Sequence, residues 1–156
     1  ELDFGEPYQY QKDFIHIKVK YSIPDYAIVT EDEIIFTPFV AANLFKRGMS
    51  HMYTNTNLEE RVYGFRDRCS RSVELSETVT LPSSGKLIPI DFEKATGNEI
   101  ASFEGSMNLS GNEFSFSEKV VLTKRVYDAA DWDAYKNTVR AQQKFAETPI
   151  IIDLKN

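Results

Sequence analysis

Alternation is the feature that most constrains this chain. In DFIHIKVKYSIP, Ile15, Ile17, Val19, Tyr21 and Ile23 fall on one side and His16, Lys18, Lys20 and Ser22 on the other. That is the period-two pattern of a strand half buried against a core. Pro24 and Asp25 end it. YAIV, the polar TEDE and IIFTPFV read as a hairpin, and ERVYGF and SVELSETVTLP as extended segments separated by RDRCSR, with Val73, Leu75, Val79 and Leu81 sharing a face. LPSSGK is a loop by composition. LIPIDF puts Ile88, Ile90 and Phe92 on one side, with KATGNE as the turn after it. EIASFEGSMNL and NEFSFSEKVVLTKRVY read as two long strands joined tightly at Ser110 and Gly111, where glycine supplies the positive φ a hairpin needs. About seven to nine strands at this spacing predict a mainly β fold, an antiparallel β-sandwich.

The period changes once. From Trp132 the stripe Trp132, Tyr135, Val139, Gln142 and Ala146, flanked by Ala134, Ala141 and Phe145, has helical spacing. It predicts one C-terminal helix over 131–147, stopped by Pro149, with extended structure resuming in PIIIDL. Asp128, Asp131 and Asp133 cluster at its start. An EF-hand calcium loop wants oxygens at alternating positions, a glycine in the sixth and a bidentate glutamate at its end, and this stretch departs from that pattern. The aspartates are therefore read as helix-start residues, with Asp131 as N-cap and Asp133 facing the positive end of the helix dipole. No metal and no cofactor are expected.

A chain of 156 residues forms one domain with enough core to fold without staples. An aromatic content of 13% favours strands, and a net charge of −6 disfavours nucleic acid and anionic lipid surfaces as partners. No span approaches the roughly 18 apolar residues of a membrane helix, so membrane insertion is not expected. The opening ELDFGEPYQY lacks the basic and apolar regions of a signal peptide, so residues 1–156 are expected to be a single domain, the mature part of a larger exported protein or a piece excised from one.

Chemistry is sparse. Cys69 with His16 or His51 is the one conceivable thiol–imidazole pair, but RDRCSRS offers no helix start to stabilise a thiolate. No catalytic residue is assigned, and the domain is expected not to be an enzyme. Arg61, Arg66, Arg68 and Arg71, interleaved with Tyr63 and Phe65, form a possible anion patch, although a solvated edge with local ion pairs explains them as well. The segment from Thr37 to Asn55 follows neither period. Its Phe39, Leu44, Phe45, Met49, Met52 and Tyr53 suit either core packing or an adaptable contact surface, and they are the predicted interface.

The order of these segments resembles a known family. A long first strand, the ER.YGF strand, the VTLPSSGKLIPI strand-loop-strand, the pair of strands running into VVLTKRVYDAADWDAYKNTV, and a helix before PIIIDL are similar to the C-terminal β-sandwich domain of secreted transglutaminase-like proteins of Bacteroides-type bacteria. The resemblance covers roughly Tyr8 to Leu154. In that family a papain-like core carries its triad in the order Cys, His, Asp. Here both histidines precede the only cysteine, so the core is absent and no catalytic residue carries over. The resemblance implies an accessory module of an exported protein, periplasmic or at the cell surface, whose partner is a catalytic or neighbouring domain of the same polypeptide. The alternative is a free-standing module that binds an extracellular protein or glycan, and it predicts exposed aromatics in a groove.

Overall fold

A computed structural model describes residues 2–3, 18–20, 22–45 and 55–155, the side chains of residues 2–3, 18–19 and 44–45 excepted. Most of the first predicted strand, with His16, and the predicted interface residues Met49, Met52 and Tyr53, with His51, lie outside them. In chain order the elements are β1 (Leu2–Asp3), β2 (Lys18–Val19), β3 (Ile28–Val29), β4 (Glu33–Phe36), a π-helical turn (Val40–Phe45), β5 (Phe65–Arg66), β6 (Arg71–Thr80) and β7 (Lys86–Leu87). There follow β8 (Ala95–Gly97), β9 (Ala101–Ser110), β10 (Glu113–Leu122), β11 (Val126–Tyr127), a 3-10 turn (Ala129–Asp131), helix α1 (Trp132–Glu147) and β12 (Ile150–Asp153). The chain is mainly β and antiparallel, as its alternation predicts.

The larger sheet has the order β6-β10-β9-β8. Its hairpin turns at Gly111, whose φ of 62° falls in the left-handed region, and Asn112 ties the tip to Leu81 through both backbone and side chain. Register places Phe114, Phe116, Glu118, Val120 and Leu122 of β10 on one face, with the odd positions of β6 and β9 beside them. The second sheet, β3-β4-β12-β7, turns Ile34, Phe36, Ile150 and Ile152 to the same core. The two sheets meet edge-to-face where the Phe36 and Phe114 rings lie 5.3 Å apart. Helix α1 covers the rest of the larger sheet, with Phe145 packed among Phe92, Phe103 and Phe116. Gly105 makes that possible. A Cβ there would come within 2.7 Å of the Phe103 ring and 2.8 Å of the Phe145 ring.

Several boundaries differ from expectation: NEFSFSEKVVLTKRVY is two strands, β10 and β11, and of ERVYGF only Phe65 is strand. LIPIDF is strand only as far as Leu87, because Pro89 cannot donate to a ladder; Ile90 and Phe92 still reach the core from irregular backbone. Instead, the segment expected to be a turn supplies β8, where Thr96 pairs with Phe103. The helix begins where expected, with Asp131 in the N-cap position, but a 3-10 turn precedes it. Asp128 holds the extended N-cap geometry (φ −77°, ψ 164°), whereas Asp131 is already helical. The Asp131 carboxylate accepts from the Asp128 N–H at 3.0 Å, the return half of a capping box on the 3-10 turn, and makes no capping bond to helix α1.

Candidate functional site

The aspartate cluster is internally satisfied. Asp131 also accepts from Lys124 Nζ at 2.7 Å, and Lys124 followed by the Asp128 N–H holds its carboxyl below the usual range. Asp133 pairs with Lys136 at 3.0 Å. Among the described residues no three His, Cys, Asp or Glu side chains are grouped to hold a metal.

The four predicted arginines do not share a role. Arg61 is sandwiched, its guanidinium carbon 4.7 Å from the Phe65 ring centroid and 4.5 Å from that of Trp132. Arg71 is ion-paired with buried Asp67, which also accepts from the Arg68 N–H and the Tyr135 hydroxyl. Only Arg66 and Arg68 stand exposed. Arg61 and Arg71 instead brace an aromatic cluster of Phe65, Tyr127, Trp132 and Tyr135, in which the rings of Phe65 and Tyr127 stack at 4.9 Å. Helix α1 then grips the preceding segment, with Trp132 Nε1, Lys136 Nζ and Arg140 donating to the carbonyls of Leu58, Glu59 and Thr56.

This bracing presents a face that reasoning from sequence did not find. Val62 is 83% exposed, Tyr63 82% and Val126 65%. The register Val126↔Arg66 and the close approach of Gly64 to the Tyr127 carbonyl bring the segment of Val62 and Tyr63 alongside that of Val126. Arg66, Arg68 and Arg125 are exposed on the same two segments, and the Arg125 carbonyl accepts from the Asp67 N–H. No local pattern marks these residues, because their exposure follows from how β5 and β11 pair, not from period.

Of the predicted interface, Phe39 is half-buried and lines an apolar groove of about 450 Å³ with Ile23, Tyr26, Ile28, Ile35 and Phe36. The side chains of Leu44 and Phe45 are outside the description. The backbone N–H groups of Phe39 and Val40 donate to the Glu77 carboxylate, which anchors the π-helical turn. A second groove, of about 580 Å³, follows the solvent face of the larger sheet. It is lined by Ser76, Ser106 and Ser117 between Glu74, Lys94, Glu104 and Lys119, and among the described residues no aromatic ring lines it on which a sugar could stack. Cys69 is exposed, on the turn before β6.

Comparison with known proteins follows from this geometry. The sequence model of DUF3858, a domain of unknown function with a solved structure, matches residues 32–152. Among solved structures the chain is similar to a putative protease from Parabacteroides distasonis ATCC 8503, with a TM-score of 0.60 and 18% identity over 80% of this chain. The match takes in 24% of the Parabacteroides chain, and at that identity the likeness is one of fold. No curated protein matches.

Proposed function

Because the chain belongs to the DUF3858 family, we propose that it is a non-catalytic accessory domain. It docks onto a neighbouring part of an exported, transglutaminase-like polypeptide through the face formed by Val62, Tyr63 and Val126. The observation that carries this reading is the exposure of those three side chains on two neighbouring segments held together by the pairing of β5 with β11. Exposed valine and tyrosine held by a rigid support are what interface cores are made of, and exposed arginines on the same segments fit a partner with acidic groups around its contact. The transglutaminase-like parent and its periplasmic or surface location rest on the order of segments. The fold likeness bears on the accessory role alone, since that fold occupies 24% of the larger Parabacteroides chain. The absence of catalysis is supported by the state of Asp67, the carboxylate nearest Cys69 in sequence, which is already committed to Arg71, Arg68 and Tyr135.

The test uses the complete polypeptide in which this domain occurs. Changing Val62 and Tyr63 together to Ser should leave the domain's own melting unchanged while loosening it from its neighbour, read as faster proteolysis of the connection and weaker association at raised salt. Unchanged docking would remove this face from consideration. If Phe39→Ser alone loosened it, the groove beside the π-helical turn would be the docking surface instead.

A further inference from the structure

Glu118 stands at the centre of the larger sheet, on β10 and on the face that the helix covers. It is 3% exposed, opposite Leu75 of β6 on one side and Gly105 of β9 on the other. Its oxygens are unequally served. Oε2 accepts from Gln142 Nε2 of α1 at 3.4 Å, while Oε1 has no partner; nor has the hydroxyl of Thr138, one turn earlier on the same helix.

Among the described residues no counter-charge approaches from the elements packed around it. On β6 the diagonal neighbour is Glu77, whose carboxylate serves the Phe39 and Val40 N–H groups. The cation of that face, Arg71, lies opposite Leu122 and is paired with Asp67. β9 contributes Phe103, Gly105 and Met107. The helix turns Lys136 and Arg140 away to the carbonyls of Glu59 and Thr56. The irregular segment before β8 sends in Phe92 and leaves Asp91, Glu93 and Lys94 exposed. An ionised carboxylate at this place has one long hydrogen bond and no compensating charge, whereas the neutral acid has no charge to desolvate and gains an O–H donor.

We propose that Glu118 is a proton-operated latch: protonated, it holds helix α1 on β9 and β10, and ionised, it loosens that docking. Burial pushes its carboxyl up from 4.5 to about 7, against the opposing pull of the Gln142 hydrogen bond. The folded chain therefore holds this proton more tightly than the unfolded chain. The stability it contributes is full below the unfolded value of 4.5 and is lost as pH rises through about 7. The helix runs directly into β12, an inner strand of the second sheet, so loosening it also reaches the contact between the sheets.

Glu118→Gln keeps the shape and removes the titration. The wild-type melting temperature should fall between about pH 5 and pH 8, and the variant's should fall much less, so that the variant is the more stable protein at the upper end. Hydrogen exchange of the α1 amides, corrected for the intrinsic rate, should speed up about tenfold or more over the same range in the wild type only. Parallel melting curves for the two proteins, or equal helix protection at both pH values, would overturn the latch. So would a Glu118→Gln chain that fails to fold at about pH 5, because the amide is neutral there as the acid is.

Discussion

Two residues test the packing directly. Trp132 is almost wholly buried, stacks with Tyr135 and donates to the Leu58 carbonyl, so Trp132→Ala removes a ring and also releases the segment it pins. It should destabilise the domain by about 3–5 kcal/mol, seen as a melting temperature many degrees lower; an unchanged curve would contradict the core described here. Gly105→Ala places a methyl against two buried rings and should cost about 1–3 kcal/mol by urea unfolding. The stripe Trp132, Tyr135, Val139 was legible from spacing alone. Gly105 was not, since its neighbour Phe145 comes from a helix forty residues on. Glu118 left a readable sign: it breaks the apolar stripe Phe114, Phe116, Val120, Leu122 at its middle. A carboxylate in that phase is either misplaced or buried.

At the scale of elements, the helix start is where local rules came close and then slipped. Aspartate at the boundary correctly announced a helix, but three aspartates in DAADWD gave no local way to tell which amides each carboxylate serves. Lys124, beyond the reach of any capping rule, decides it for Asp131 by pairing with that carboxylate and fixing it over the Asp128 N–H. Asp131→Asn should therefore weaken the domain at neutral pH, by about 1 kcal/mol or more in chemical denaturation. With its folded-state pKa lowered from 3.8, Asp131 contributes stability above the unfolded value that is lost as pH falls through the folded one. Wild type and Asp131→Asn should thus converge in acid. This is the reverse of the dependence at Glu118, and it separates the two groups in a single pH series. The shortened strand at LIPIDF has the same lesson: alternation put Ile88, Ile90 and Phe92 on the core face, but Ile88 is exposed and Leu87 packs inward in its place, and Pro89 decided that no ladder forms beyond it.

At the scale of the whole molecule, two sheets and one helix share a single core, and the period of the sequence was enough to foresee that architecture. Function was less legible. The exposed face of Val62, Tyr63 and Val126 joins residues about sixty apart in sequence, and only the pairing of β5 with β11 reveals it. Two of the predicted arginines proved to be its internal braces, which is a structural use that a list of cations between rings cannot distinguish from a binding patch. The central claim is that this face is a docking surface within a larger polypeptide. Hydrogen exchange of the isolated domain compared with the complete polypeptide tests it most directly. The account predicts that backbone amides at 61–66 and 125–128 exchange more slowly in the complete polypeptide while those lining the serine-rich groove are unchanged; equal exchange at 61–66 and 125–128 in the two would contradict it.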